Sequence, residues 1–324
     1  MNPLVIVAGI PTALALFGVI RRNRFFFLLG YFLYALIVIP NELATYASNG
    51  DIEVYYEIMG GSDTSPTMLL INGLGSQCIN YAEPWCALLV AEGLRVVRFD
   101  NRDVGLSTHL TDRPPNDDGA CYTLSDMAGD AIAVLDAVGS ATAHLVGLSM
   151  GGMIAQTLAI EAPHRVTTLT SVMSSTGEPD HVHRSPAAAA QFAADPPHDR
   201  ESFIEDWAGG LRVWGSPAFA DEKRWRAEAE RAFDRCFEPG GPVRQGRAIS
   251  ASPPRAAGLR TLDIATLVVH GSADTLIGPD AGRRTAELIP GARFELVEGM
   301  GHDYPPQLWE RLSRLFADHA LGRG

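Results

Sequence analysis

Short apolar runs alternate with longer helical patterns along the chain from Leu43 onward. Residues 52–59 alternate apolar and polar side chains, which predicts a half-exposed strand. The other runs are mainly apolar and predict buried strands, at residues 67–72, 95–100, 143–148, 166–172, 266–270 and 293–297. Helical patterns lie between the strands, at residues 83–92, 124–138, 150–161 and 279–288. This order predicts an α/β fold with a doubly wound, mostly parallel sheet, whose ligand crevice lies at the carboxyl ends of the strands.

Residues 175–258 follow a different pattern, in which no strand-like run occurs. They contain an alanine run, several prolines, and Trp207, Trp214 and Trp225. The charged stretch at residues 221–235 predicts a helix. We therefore expect a helical cap at residues 175–258, inserted into a core that is formed by residues 41–174 and 259–324.

The first forty residues form a separate hydrophobic extension. Residues 3–20 carry no charge, Arg21, Arg22 and Arg24 follow, and residues 25–40 are apolar again. A bilayer core needs about 20 helical residues, so each run suits one arm of a hairpin or a tilted anchor. We expect residues 1–40 to attach the protein to a membrane, with the side of the membrane left open. A cleaved signal peptide and helices docked on the core are the alternatives.

Composition and net charge restrict which kinds of molecule the protein is expected to bind. Hydrophobic residues make up 46% of the 324 residues and charged residues 20%, which is typical of a globular protein with a large core. The formal net charge is −12 and the basic residues form no long stripe, which argues against nucleic acid as a partner. The four cysteines form no C-x-x-C pair, so we expect no metal site. A neutral or apolar small molecule is a better candidate ligand than a polyanion.

One pentapeptide carries the main chemical signal. Residues 147–151 read GLSMG, which matches G-x-S-x-G, and they lie between an apolar strand and an apolar helix. At such a strand-to-helix turn the hydroxyl of Ser149 would project above the sheet, and the flanking glycines would allow the backbone to turn sharply. The helix that follows would direct its first amides at developing negative charge. Ser149 is therefore the predicted nucleophile.

A serine hydroxyl needs a base to remove its proton and a carboxylate to orient that base. Asp274 lies just beyond a predicted strand end, and His302 follows the last predicted strand through a glycine-rich loop. Their order along the chain, serine, then aspartate, then histidine, is the one expected for this type of site. Asp280 is a rival acid. We predict His302 as the general base and Asp274 as its carboxylate.

The oxyanion of a tetrahedral intermediate needs hydrogen-bond donors. The amide of Met150, directly after the nucleophile, is one expected donor. The other should come from the loop after the strand at residues 67–72, where glycines permit close approach of the backbone. We choose the Leu74 amide.

Together, five motifs resemble those of the α/β-hydrolase superfamily. They are NGLG at residues 72–75, RFDNRDVGLS at 98–107, GLSMG at 147–151, HGSAD at 270–274 and GMGH at 299–302. The pattern is most similar to the branch that includes aclacinomycin methylesterase, whose members carry a helical cap. The resemblance implies Ser149, Asp274 and His302 as a catalytic triad, Leu74 and Met150 as oxyanion donors, and a structural turn at residues 98–107. This chain has Asn72-Gly73 where many relatives have His-Gly.

These observations predict a serine hydrolase that cleaves a carboxylic ester without a cofactor. Carbon–carbon bond hydrolysis and perhydrolysis with the same triad are alternatives, and so is a non-catalytic ligand-binding homologue. Aromatic residues of the predicted cap suggest an apolar substrate, namely Phe192, Phe203, Trp207, Trp214, Phe219 and Trp225.

The extension at residues 1–40 gives a first testable prediction. After cell lysis and ultracentrifugation without detergent, we expect the full-length protein in the membrane pellet, because at least one apolar run would be inserted in lipid. Recovery of the full-length protein in the supernatant would contradict the anchor.

Overall fold

The computed structural model describes residues 45–117 and 119–323, and within them lies an eight-stranded sheet. The strand order across the sheet is β1-β2-β4-β3-β5-β6-β7-β8. The strands are β1 (Tyr46–Asn49), β2 (Ile52–Gly60), β3 (Thr67–Ile71), β4 (Arg95–Phe99), β5 (Ala143–Leu148), β6 (Val166–Val172), β7 (Thr266–Gly271) and β8 (Arg293–Val297). The β1–β2 and β2–β4 pairings are antiparallel, and the other pairings in this sheet are parallel.

Helices follow most strands and cover both faces of the sheet. They are α1 (Glu83–Ala91), α2 (Leu124–Ala137), α3 (Met150–Glu161), α4 (Pro186–Phe192), α5 (Arg200–Trp214), α6 (Glu222–Arg235), α7 (Gly240–Ala251), α8 (Ala256–Leu259), α9 (Pro279–Leu288) and α10 (Trp309–Leu321). Leu69 and Leu145 of the central strands pack in one cluster with α2, α3 and α9. Leu70 and Val146, one position further along, pack in a second cluster with α1 and α10. Because successive side chains alternate between faces, apolar runs are needed wherever both faces are covered.

The fold class predicted from the sequence is confirmed. Each of the seven predicted strands and four predicted core helices is present, with its ends within one residue of the prediction. The prediction omitted β1, a short strand whose Tyr46 is exposed. It also omitted α10, although Leu312, Phe316 and Ala320 recur at helical spacing on its buried face. The domain boundaries stay a prediction.

The predicted anchor at residues 1–40 lies outside the described residues. Of the helices in residues 45–117 and 119–323, none combines the length and apolarity that crossing a bilayer requires.

The helices α4–α8 lie between β6 and β7, and we call residues 179–259 the insertion. Two fully buried carboxylates tie the insertion to the loop after β4. Asp100 pairs with Arg235 of α6 and Asp103 pairs with Arg244 of α7, each at 2.7 Å. The structural turn predicted at residues 98–107 therefore anchors the insertion.

A further buried ion pair fixes the same loop to the core. Arg102 donates from Nε and Nη2 to the two oxygens of Asp130 on α2, at 2.6 and 2.7 Å. Both side chains are buried, and Asn49 of β1 also donates to Asp130. A two-pronged pair of this kind holds the loop backbone in one orientation.

We expect Asp130→Leu to lower the free energy of unfolding by about 3–5 kcal/mol, because it leaves the Arg102 guanidinium buried and unpaired. The measurement is chemical denaturation at neutral pH. Asp136→Ala is the matched control: Asp136 pairs with Arg165 at 2.6 Å but its side chain is 64% exposed, so the cost should stay below about 1 kcal/mol. Equal losses in the two variants would refute the argument.

Candidate active site

Ser149 lies in a strained turn between β5 and α3. Its φ is 54° and its ψ is −117°, a backbone conformation that residues other than glycine rarely adopt. The Ser149 amide donates to the Val172 carbonyl at 2.9 Å, and Ser174 Oγ donates to the Ser149 carbonyl at 2.7 Å. The end of β6 therefore holds the turn from both sides.

Two glycines make this turn possible. A Cβ on Gly147 would lie 2.2 Å from the Gly151 carbonyl oxygen. A Cβ on Gly151 would lie 2.0 Å from the carbonyl oxygen of Ile71, at the end of β3. Both distances are far inside van der Waals contact, so only glycine fits. These contacts explain why the sharp turn at Ser149 needs glycine on both sides.

Asp274 and His302 are hydrogen-bonded to each other. His302 Nδ1 lies 2.7 Å from Asp274 Oδ2, and the carboxylate is fully buried. Asp274 Oδ1 accepts from the amides of Leu276 and Ile277, each at 2.9 Å. The carboxylate is therefore oriented by backbone donors on one oxygen and faces the imidazole with the other.

A second histidine approaches the same carboxylate. His270 Nε2 lies 2.8 Å from the Ile277 carbonyl and 3.2 Å from Asp274 Oδ2. Both oxygen atoms are acceptors, so His270 Nε2 carries a proton, and its N–H donates to both of them. Burial raises the pKa of Asp274, but His302 and His270 together outweigh it, and the net pKa is held well below its usual range. No catalytic role is predicted for His270 from the sequence, although its i, i+4 spacing to Asp274 is visible there.

The loop that carries His302 is held by the end of α5. The His302 amide donates to the Trp214 carbonyl at 2.6 Å, and the Gly301 amide donates to Ser216 Oγ at 2.9 Å. Ser216 in turn donates from its amide and hydroxyl to Asp303. Burial raises the pKa of Asp303, and the bonds from Ser216 offset this only in part. Neither Ser216 nor Asp303 was predicted from the sequence.

The loop after β3, residues 72–77, approaches Ser149 closely. A Cβ on Gly73 would lie 3.4 Å from Ser149 Cβ and 4.0 Å from its Oγ. In the described part of the chain, neither the Leu74 amide nor the Met150 amide donates a hydrogen bond to the protein. Both predicted oxyanion donors are therefore free to bind an acceptor, and Met150 also begins α3, where the helix dipole favours negative charge.

Ser149, His302 and Leu74 line one cavity of about 670 Å³. Its wall is mainly apolar and comes from both the core and the insertion, with Phe192, Phe203, Trp207, Leu211, Trp214 and Trp309 among its residues. The rival acid Asp280 lies in the first turn of α9 and does not line this cavity. The four cysteines are free thiols.

One family model and several known proteins are similar to this chain. The family model described as alpha/beta hydrolase fold matches residues 66–304. Rhodomycin D methylesterase DnrP of Streptomyces peucetius is 29% identical over 305 residues, which cover 86% of this chain and 98% of that protein. RutD of Azorhizobium caulinodans, a proposed carbamate hydrolase, is 35% identical over 267 residues, covering 80% and 91% of the two chains. The enol-lactonase of Burkholderia xenovorans shares the fold, with a TM-score of 0.69, 23% identity, and coverage of 85% and 99%.

We expect Gly147→Ala and Gly151→Ala to prevent stable folding, because each Cβ would collide with backbone atoms that cannot move aside. The measurement is soluble yield and the midpoint of chemical denaturation. Gly209→Ala, inside α5, is the control: its Cβ would lie 3.4 Å from the nearest atom, and alanine is the better helix former by roughly 1 kcal/mol. Wild-type stability of the Gly151→Ala protein would contradict the close contact with β3.

Proposed function

Since this chain belongs to the α/β hydrolase fold family, we propose that it is a serine hydrolase that cleaves a carboxylic ester through an acyl-enzyme. The observation that carries the proposal is the pairing of a strained, cavity-facing serine with a buried imidazole–carboxylate pair. Ser149 and His302 line the same cavity, and His302 Nδ1 lies 2.7 Å from Asp274. We assign Ser149 as nucleophile, His302 as general base and Asp274 as the carboxylate that orients it.

In the proposed reaction, Ser149 Oγ attacks the ester carbonyl carbon while His302 Nε2 takes the hydroxyl proton. Asp274 stabilises the imidazolium and keeps the neutral ring protonated on Nδ1, so that Nε2 is the free base. Collapse of the tetrahedral intermediate breaks the bond to the alcohol oxygen, which leaves with the proton from His302. Water then attacks the acyl-enzyme by the same route and releases the acid. Each step uses only the protein, the ester and water.

The amides of Leu74 and Met150 are the proposed oxyanion donors. Neither amide has an acceptor in the described part of the protein, which supports this role, since a free donor gives up no hydrogen bond when negative charge develops. The buried position of Met150 at the start of α3 adds the favourable end of the helix dipole.

The cavity wall supports an ester whose larger part is apolar. Aromatic side chains from α4 and α5 face the cavity beside Trp309, and a volume of about 670 Å³ accommodates a drug-sized molecule. The methylesterase relatives support a small alcohol as the leaving group. Product analysis, with one acid and one alcohol expected for each ester cleaved, separates this reaction from carbon–carbon cleavage and perhydrolysis.

We expect a fluorophosphonate probe to label the wild-type protein with one adduct by intact mass, because the base activates Ser149 Oγ. Ser149→Ala should abolish labelling, and Asp274→Asn should slow it by at least about 100-fold by favouring the wrong imidazole tautomer.

Ser250→Ala is the matched control, because Ser250 lines the same cavity but lies at the end of α7. It should label at the wild-type rate. A folded wild-type protein that neither reacts with the probe nor hydrolyses any of a graded set of acyl esters would refute the proposed function.

A further inference from the structure

Helix α7 of the insertion packs directly on the two loops that follow β3 and β4. A Cβ on Gly241 would lie 1.9 Å from the Asp103 carbonyl oxygen, so the helix backbone touches the loop after β4. Pro242 Cγ lies 3.2 Å from the position of a Cβ on Gly75, in the loop after β3. The N-terminal half of α7 therefore lies against the backbone of both loops.

Gln245 of α7 bridges these loops with its side-chain amide. Its Oε1 accepts from the Gly75 amide at 2.8 Å, and its Nε2 donates to the Arg102 carbonyl at 2.8 Å. Gly75 offers only a donor at this point and Arg102 only an acceptor, so the chemistry fixes which way the amide faces. Gln245 is fully buried and does not line the cavity. The Gln245 side chain is therefore shielded from water and from substrate.

The Arg102 end of this bridge is immobilised independently. The Arg102 guanidinium is held in the core by the two-pronged pair with Asp130 on α2. The other partner of Gln245 is Gly75, whose φ of 70° requires glycine. The Arg102 carbonyl is fixed to the core, whereas the Gly75 backbone is flexible. The Gln245 bridge between them therefore restricts movement of the loop after β3.

The hydrogen-bonded amide belongs to the peptide that follows Leu74. Fixing the Gly75 N–H restricts the peptide plane that follows Leu74 Cα. This limits movement of the Leu74 backbone, and so of the Leu74 N–H, which lies in the preceding peptide plane. Two further hydrogen bonds lie within the loop: Ser76 N donates to the Gly73 carbonyl at 3.3 Å and Asn72 Nδ2 to the Gln77 carbonyl at 2.7 Å. Bonds from outside also reach the two ends of the loop, where Asn101 donates to the Asn72 carbonyl and the Gln77 side chain bonds to α6 and the residue after it. Gln245 supplies the bond nearest to Leu74 that reaches the loop from outside it.

We infer that Gln245 is a positioning residue that directs the Leu74 amide at the developing oxyanion. The inference rests on the proposed function, because it assigns the Leu74 amide its catalytic use. A residue of this kind should change the turnover step and leave substrate binding nearly unaltered, since the oxyanion forms only in the transition state.

The test compares Gln245→Leu with the wild-type protein on p-nitrophenyl butyrate. We expect kcat to fall by about 10- to 100-fold with KM within about twofold. We also expect weaker inhibition by butylboronic acid, by a similar factor, because its tetrahedral adduct with Ser149 places an oxygen at the oxyanion position. Amide hydrogen exchange of residues 72–77, measured by mass spectrometry without any substrate, should accelerate.

Gln156→Leu is the matched control for loss of a buried amide. Gln156 on α3 is also fully buried, and it makes two side-chain hydrogen bonds, to Ser171 and from Arg255, away from the loop after β3. It should lower stability without changing kcat or exchange in residues 72–77.

Gln245→Glu provides a pH-dependent rescue. The protonated carboxyl group can accept from Gly75 and donate to the Arg102 carbonyl, whereas the carboxylate would repel that carbonyl. Burial favours the protonated form, so the ratio of variant to wild-type kcat should rise as pH falls. Taking the ratio cancels any pH dependence that the two proteins share.

The possible outcomes separate the two proposals. If Gln245→Leu keeps wild-type kcat in an active enzyme, or loses activity only through KM, the positioning role is refuted and the proposed function stands. If the wild-type protein neither labels with fluorophosphonate nor hydrolyses esters, the proposed function and the positioning role of Gln245 in it fall together, even if hydrogen exchange shows that Gln245 orders the loop.

Discussion

The contact between the turn at Ser149 and the end of β3 is the constraint on which the rest of the site depends. Gly151 passes so close to the Ile71 carbonyl that no side chain fits between them. The strained serine and the end of β3, where the loop that carries Leu74 begins, are therefore held against each other by a backbone contact. Side-chain packing can relax by small rotations, but two main chains in contact cannot. The spacing between the nucleophile's turn and the start of this loop is thus a property of the sheet itself.

The insertion acts on each of the loops around this centre. The end of α5 holds the loop of His302 through Trp214 and Ser216. Helix α7 holds the loop after β3 through Gln245, and Arg235 and Arg244 bind buried carboxylates of the loop after β4. The helices that form the upper wall of the cavity are therefore the same helices that order the loops below it. The same helices therefore enclose the substrate and fix the geometry of the loops.

Local sequence patterns were sufficient for much of this architecture and for the proposed triad. Buried strands need apolar residues on both faces, and a serine at a strand-to-helix turn needs glycines beside it, so both are visible within a few residues. The positions of Ser216 and Gln245 were not predictable in this way. Ser216 contacts a residue 85 positions away and Gln245 one 170 positions away, and nothing in their neighbouring residues indicates the partner. The sequence of a helix shows that a polar side chain is present at a position. It does not show which carbonyl or amide that side chain contacts.

The attachment of α7 has a consequence for how such proteins can diversify. An exchange of the insertion between relatives is often imagined as a change of lid that alters only which molecules enter. Here a transplanted lid would also have to bring an acceptor for the Gly75 amide, a carbonyl for the His302 amide and cations for Asp100 and Asp103. Without them the recipient core would lose order in the loops it retains. Substrate range in this protein can therefore be altered most freely at single cavity-facing side chains, such as those of Phe192 and Trp207, while the helices that carry them stay in place.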